Sequence, residues 1–152
     1  MSDPYTFDSR SPRFGLPLLF SGQAQKEAYV NETHALTDGL MHCAIEATAE
    51  DPPVSPEDGK AWLIGSNPTG EWIDHAGQLA LRQGGNWLFV SPSPGMRVFD
   101  RSVASFTHYD NGWQIPAEIT EPTGGSTVDP QARTAISDLI AALRVAGIFP
   151  AI

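Results

Sequence analysis

Residues 78–90, QLALRQGGNWLFV, contain the signal that decides the fold. Two short apolar stretches flank Gly84-Gly85, which is typical of two strands joined by a tight turn. A type I′ turn requires positive φ at both central residues, and a pair of glycines adopts this conformation without steric strain. The stretch therefore predicts a β-hairpin with strands at 78–83 and 86–90.

Further short strands are predicted on both sides of this hairpin. They lie near 60–64, 96–100, 104–109 and 113–115. Asn111-Gly112, between the last two of these, is a second two-residue hairpin signal. Because hairpins pair antiparallel strands, residues 55–116 are predicted to form a small antiparallel β domain.

A long helix is predicted before the β domain, over residues 21–48. Ser21 can cap its start, and the breaker-rich stretch 51–59, DPPVSPEDG, follows its end. Gly39 costs about 1 kcal/mol relative to Ala inside such a helix, which indicates a close neighbour at that point. One apolar seam runs along the helix. Its residues recur at spacings of 4, 3, 4, 3 and 4: Tyr29, Thr33, Leu36, Leu40, Cys43 and Ala47.

The two ends of the chain differ in composition from its centre. Residues 1–20 contain three prolines among small, polar and aromatic residues, which predicts an extended docking arm. Residues 117–128 are rich in Pro, Gly and Thr and are predicted to be a linker. Asp129 as a cap and Pro130 in the first helical position begin a C-terminal helix over 129–148.

The elements together predict an α+β fold: a long N-terminal helix, a small antiparallel β-sheet of hairpins and a C-terminal helix.

The C-terminal helix has an apolar seam of its own, with residues at spacings of 4, 3, 4 and 3: Ala132, Ile136, Leu139, Leu143 and Ala146. A short helix behind a linker is not stable alone, so it must dock on its own sheet or pair with copies of itself. A heptad seam is compatible with pairing in dimers, trimers or larger rings. The residues predicted to hold an oligomer or a docking contact are Phe14, Leu16, Leu18, Leu36, Leu40, Ile136, Leu139 and Leu143.

The chain of 152 residues is strongly acidic, with 9 Lys and Arg against 18 Asp and Glu and a net charge of −9. Nucleic acids and anionic membranes attract basic surfaces, so neither is a predicted partner. No apolar stretch approaches the roughly 20 residues of a membrane span, and the first residues do not have the pattern of a signal peptide. A single cysteine cannot form an intrachain disulfide, which indicates synthesis in a reducing cytosol.

Residues that could carry metal or nucleophilic chemistry lack the spacing that such sites require. The chain has no CxxC, HExxH, GxSxG or SxxK motif, and its four histidines are scattered: His34, His42, His75 and His108. Cys43 falls on the apolar seam of the first helix and is interpreted as a core residue. We predict no catalytic residue, no metal ligand and no cofactor, and therefore a protein that is not an enzyme.

One arrangement of acidic residues keeps a hydrolase among the hypotheses. Glu71, Asp74 and Asp110 stand beside Trp72 and Tyr109, and carboxylates combined with aromatic rings can form the wall of a glycosidase site. Acidic residues at turns next to strands are ordinarily solvated turn formers, and a small sheet does not surround a cleft. A cell-wall or capsule hydrolase is therefore the third hypothesis.

Aromatic residues are dense in the β domain and are its strongest functional signal. Tryptophan and tyrosine near hairpin turns can stack on sugar rings, but they can also fill the core of a thin sheet. Both readings stay open for each residue. The residues predicted to contact a glycan are Trp113, Tyr109, Trp87 and Trp72, and the first two, which flank the DNG turn, are the strongest.

Several sequence blocks resemble an uncharacterised domain of alphaproteobacterial prophages and gene transfer agents. The blocks are RFGLPLLFSGQAQKEAYVNE (13–32), DGKAWLIG (58–65), TGEWIDHAGQLAL (69–81) and GNWLFVSPSPGMRVFD (85–100). The resemblance covers about residues 11–115, and the C-terminal VDPQARTAISDLIAALRVAGI is similar to terminal helices of such proteins. The resemblance implies a part of a host-recognition appendage, a tail fibre or a head spike, with no catalytic residues to carry over.

This resemblance implies a structural component of a phage-like particle, most simply the base or adaptor of a head spike or fibre, that serves attachment to the host cell. The expected partners are further copies in a trimer or pentamer, capsid or other spike and fibre proteins, and a host surface polysaccharide. The expected location is the particle, assembled in the bacterial cytoplasm and released by lysis. The alternative hypothesis is a carbohydrate-binding module that itself recognises capsular polysaccharide.

Overall fold

Eight short strands in two sheets, with a helix at each end, form the part of the protein that a computed structural model describes, residues 26–117 and 119–150. The helices are α1 (Lys26–Leu40) and α2 (Pro130–Val145). The strands are β1 (Ala44–Ile45), β2 (Thr48–Ala49), β3 (Ala61–Ile64), β4 (Leu79–Gln83), β5 (Asn86–Val90), β6 (Arg97–Asp100), β7 (Ser105–Tyr109) and β8 (Trp113–Gln114). One turn of 3₁₀ helix, Gly70–Trp72, precedes β4.

Both sheets have four strands and mixed topology. The strand orders are β1-β6-β7-β8 in one sheet and β2-β3-β4-β5 in the other. In each sheet the first pair is parallel and the other two pairs are antiparallel. The predicted α+β fold with one small antiparallel sheet is therefore wrong, because the fold is a mostly β core with flanking helices.

The predicted long N-terminal helix is also wrong. The helix ends at Leu40, and His42 adopts a left-handed conformation with φ of 56°, which stops the helical path. The chain after it is extended, and Ile45 is fully buried. Burial of this β-branched side chain between the sheets outweighs the helical propensity of the neighbouring alanines and glutamate. The predicted helix included these residues because the heptad spacing continues through them.

Residues 43–50, here called the bridging segment, hydrogen-bond to both sheets. On one side the carbonyls of Cys43 and Ile45 accept from the backbone N–H groups of β6 and the residue after it, at 2.9 and 3.0 Å. On the other side the Glu46 N–H donates to the Ala61 carbonyl at 2.8 Å, and the Ala47 carbonyl accepts from Leu63 at 3.1 Å. The bridging segment therefore holds β6 beside β3.

The main core lies between the two sheets and under α1. It consists of Leu36, Cys43, Ile45, Ala61, Leu63, Leu79, Leu81, Val90, Met96 and Val98. A Cβ at Gly39 would lie only 2.6 Å from Leu81 Cδ1, so α1 approaches β4 closely at that point. This contact confirms the close neighbour predicted for Gly39.

Of the two predicted two-residue hairpin turns, the one at Gly84-Gly85 is confirmed and the one at Asn111-Gly112 is wrong. Gly84 and Gly85 have φ of 57° and 75° between the paired residues Gln83 and Asn86, which confirms the predicted two-residue turn. The β7–β8 turn has three residues instead of two, since Tyr109 pairs with Trp113. Asn111, which has a positive φ of 53°, lies within this turn.

The C-terminal helix begins as its sequence predicts. The Asp129 carboxylate accepts from the Ala132 N–H at 3.0 Å, and Pro130 occupies the first turn. Ile140 is the buried residue of α2, and the Gly147 carbonyl accepts from the Phe106 N–H of β7 at 2.7 Å. The end of α2 is therefore attached to the β6–β7 pair.

Other predictions about the organisation of the chain are not decided by this fold. The docking arm over residues 1–20, with Phe14, Leu16 and Leu18, lies outside the described residues. The division of the chain into domains stays a prediction. Within the described residues, no helix combines the length and the apolar character needed to cross a bilayer.

Ile45→Ala tests the importance of the bridging segment. Its side chain is fully buried, and we expect its truncation to lower the free energy of unfolding by about 2–5 kcal/mol, the usual cost of such a core cavity. Ile73→Ala, at a residue that is 56 % exposed, is the matched control and should change this free energy by less than about 0.5 kcal/mol. Urea denaturation measures both, and equal effects of the two variants would contradict this role.

Candidate functional site

An aromatic layer covers the face of β3–β5 that points away from the main core. Trp62, Trp87 and Phe89 alternate along β3 and β5 with residues that pack into the core, and Trp72 of the 3₁₀ turn joins them. The Trp72 and Trp87 rings meet edge to face with centroids 5.2 Å apart, and Trp62 lies 5.6 Å from Trp87. This layer is a second, smaller core.

Two of the four residues predicted to contact a glycan belong to this layer. Trp72 is fully buried, so it has no exposed ring on which a sugar could stack. The Trp87 indole N–H donates to Glu71 Oε2 at 3.1 Å, and the Arg82 guanidinium carbon lies 4.9 Å from the centroid of its ring. The contacts of both residues favour the core-filling role that the sequence left open.

The other two predicted glycan contacts, Tyr109 and Trp113, lie together on the β1-β6-β7-β8 sheet. They face each other across β7 and β8, with ring centroids 5.4 Å apart at an angle of 69°. The Trp113 indole N–H donates to the Gly77 carbonyl at 2.8 Å, in the connection between β3 and β4. This bond joins β8 of one sheet to the β3–β4 connection of the other sheet. Both residues lie far along the chain from the bridging segment.

An open groove with a volume of about 650 Å³ lies between the β7–β8 hairpin and the β3–β4 connection. Small-molecule sites span roughly 300–1,000 Å³, so the groove is large enough for a ligand of a few rings. Its aromatic and apolar wall includes Tyr109, Trp113 and Ile115, and its polar lining includes Ser66, Gln78 and Ser91. We call this surface the Trp113 groove.

Backbone and side-chain bonds hold both walls of the Trp113 groove in place. Tyr109 exchanges backbone hydrogen bonds with Gly95 and Met96 at 2.8 and 2.9 Å. On the opposite wall, Gln78 Oε1 lies 3.0 Å from His75 Nδ1, and the His75 ring stacks on Phe89 with centroids 3.6 Å apart. The aromatic layer therefore supports one wall of the groove.

The Trp113 groove can hold a ligand that combines a flat apolar face with hydroxyl groups. Indole and phenol rings offer such a ligand a stacking surface, and hydroxyl and amide side chains can donate and accept hydrogen bonds beside it. Sequence reasoning identified Tyr109 and Trp113 but missed Ile115, Gln78 and Ser91. No local pattern marks these three, because separate segments bring them together.

The residues considered for catalysis do not converge on this groove. The lining of the Trp113 groove does not include Glu71, Asp74 or Asp110. Within the described residues, no three His, Cys, Asp or Glu side chains form a group that could hold a metal ion. Cys43 is buried, and loss of hydration raises the pKa of its thiol to about 11.

The residues predicted for oligomer or docking contacts take several positions. Leu36 is buried in the main core and Leu40 packs against it. On α2, Leu143 is half-buried, whereas Ile136 and Leu139 are exposed, Leu139 by 59 %. Among the described residues of this predicted set, Ile136 and Leu139 are the exposed ones.

Comparison with known proteins gives one family. The family model described as "Protein of unknown function (DUF2793)" matches residues 30–114, more than half of the chain. The matched range contains most of α1, all eight strands and both groups of aromatic residues. No curated protein matches the sequence.

The raised pKa of Cys43 predicts a slow reaction with alkylating reagents. A pKa of about 11 in place of the ordinary 9.0 lowers the thiolate fraction at pH 8 about 100-fold, and only the thiolate attacks iodoacetamide. We expect native protein to react at least about 100-fold more slowly than protein unfolded in urea. Mass spectrometry of the alkylated chain measures both rates, and similar rates would contradict the burial of this thiol.

The same shift predicts a change of stability at alkaline pH. The unfolded thiol loses its proton near pH 9.0 and the folded one near 11, so this group destabilises the fold as pH rises from 9 to 11. Cys43→Ala removes this contribution, so its free energy of unfolding should fall less over that range than that of the unchanged protein. An equal decline in both proteins would contradict the assignment.

Proposed function

The chain belongs to the DUF2793 family, and from this premise we propose that it is a non-enzymatic carbohydrate-binding module that attaches a phage-like particle to the surface of a host cell. The Trp113 groove is the surface that contacts the sugar. The particle is of the gene transfer agent type, and the chain acts in a head spike or at the base of a fibre.

The observation that carries the proposal is the composition of the Trp113 groove. Tyr109 and Trp113 are only partly buried, so each contributes to the core with one part of its ring and to the groove with another. Ser66, Gln78 and Ser91 stand within the same lining. A pyranose ring has the matching character, with an apolar face of C–H groups and hydroxyls around its edge.

Two further features support the part of the proposal that concerns the particle. The sequence blocks that resemble host-recognition proteins of gene transfer agents include Gly77, Gln78 and Ser91 of the groove lining. In addition, the exposed Ile136 and Leu139 offer an apolar surface for assembly with further copies or with capsid and spike proteins. Several copies on one particle convert a weak sugar site into firm attachment through multivalency.

The proposed partners are therefore further copies of the chain, neighbouring particle proteins and a polysaccharide of the host surface. The particle is assembled in the bacterial cytoplasm and released by lysis. The hydrolase hypothesis has less support, because the Glu71 carboxylate accepts the indole N–H of Trp87 in the aromatic layer and does not line the Trp113 groove.

Binding of the purified full chain to a glycan array and to host polysaccharide tests the proposal. Tryptophan residues at binding hot spots contribute about 2 kcal/mol or more, so Trp113→Ala should weaken binding about 30-fold. Ile115→Ala removes an apolar contact from the same groove at a residue that is 63 % exposed, so it should weaken binding several-fold without unfolding the protein.

Ile73→Ala is the matched control for Ile115→Ala, because Ile73 is similarly exposed but does not line the groove. It should bind as the unchanged protein does. Thermal unfolding of each variant separates loss of binding from loss of folding. Binding that survives both Trp113→Ala and Ile115→Ala would show that the sugar is held elsewhere, and no binding by the unchanged chain would overturn the proposed function.

A further inference from the structure

The lining of the Trp113 groove is uncharged over its described residues. Its polar side chains are hydroxyls and one amide, including Thr48, Ser66, Gln78 and Ser91, and no described Asp, Glu, Lys, Arg or His belongs to it. Hydroxyls and amides bond neutral hydroxyl groups well, but they compensate a carboxylate or sulfate much less than a cation does.

The lysine and arginine side chains of the described β region line other parts of the surface. Lys60, Arg82 and Arg101 line a separate cleft at the end of α1, where Lys60 and Arg101 lie 3.1 and 3.7 Å from one Glu46 oxygen. Arg97 extends over the Phe106 ring at 4.6 Å and lines a neighbouring cleft, which shares only Ile115 with the described lining of the Trp113 groove. None of these four cations belongs to the described lining of the Trp113 groove, so none is placed there to pair with an acidic ligand.

The charge around the groove has the opposite sign. Asp110 is exposed in the turn that connects Tyr109 to Trp113, and the chain as a whole carries a net charge of −9. An anionic sugar would lose hydration in the groove without a compensating cation, and it would be repelled on approach. A neutral sugar incurs neither cost.

From this distribution of charge, which concerns the same site as the proposed function and rests on it, we infer that the Trp113 groove selects uncharged saccharides over acidic ones. The apolar face of the sugar lies on Tyr109, Trp113 and Ile115. Its hydroxyls bond to the neutral side chains of the opposite wall. Selection against uronic acids follows from the missing cation and not from the size of the groove.

A polysaccharide rich in uronic acid and its carboxyl-reduced derivative provide a matched pair of probes, since reduction converts each uronic acid to a neutral hexose and leaves the linkages unchanged. We expect the full chain to bind the reduced form about tenfold or more tightly than the acidic form in isothermal titration calorimetry. Raising salt from 50 to 500 mM should leave binding of the neutral form unchanged and strengthen binding of the acidic form, because salt screens repulsion.

A charge variant tests the cause of the selectivity. Ser91→Arg introduces a cation at an exposed position of the lining and should shift the preference toward the acidic polysaccharide, whereas Ser91→Gln, which is long but neutral, should not. Equal or tighter binding of the acidic form by the unchanged chain would overturn the inference while leaving the proposed function intact. Failure to bind any member of a panel of neutral and acidic glycans would overturn both.

Discussion

The hydrogen bonds of the bridging segment are the constraint on which the rest of the structure depends. Residues 43–50 bond first to β6 and then to β3, so a single stretch of backbone joins two sheets that have separate strand orders. The main core forms between these sheets, with the fully buried Ile45 at the point where they meet. α1 packs over the same core through Leu36 and ends at Leu40, before the bridging segment begins.

A second link, distant from the first along the chain, determines the shape of the candidate site. The indole N–H of Trp113 bonds to the Gly77 carbonyl and so attaches the β7–β8 hairpin to the β3–β4 connection. Because the bridging segment and this bond lie far apart in sequence, the groove between the two walls depends on the tertiary fold as a whole. Trp113 is therefore a structural residue as well as a proposed ligand contact. For this reason Trp113→Ala is paired with a variant at an exposed groove residue, Ile115→Ala.

The parts of the fold that were predicted from sequence are those with local causes. The strands of the Gly84-Gly85 hairpin match their predicted bounds within one residue, since turn conformation and strand pattern lie within one short stretch. The bridging segment was not predictable in the same way, because its alanines and Glu46 favour a helix locally and only burial against two sheets makes it extended. The aromatic residues show the same division. The sequence shows how many aromatic residues the β region contains, but only tertiary contacts distinguish the buried Trp72 from the groove residue Trp113.

The Glu50 carboxylate stabilises one wall of the groove without belonging to its described lining, which shows how so acidic a chain can have a groove lined by uncharged side chains. Glu50 accepts the backbone N–H groups of Ser66 and Asn67 at 3.2 and 2.6 Å, so it holds the loop that carries one wall of the groove. Gly65 has no Cβ that would collide with this carboxylate, which allows its close approach. Two backbone N–H groups satisfy the Glu50 oxygens, and Glu50 does not belong to the described lining, whose side chains are uncharged. On the proposed function, acidic residues outside the lining would repel anions at a distance, while aromatic rings and hydroxyls would contact the sugar.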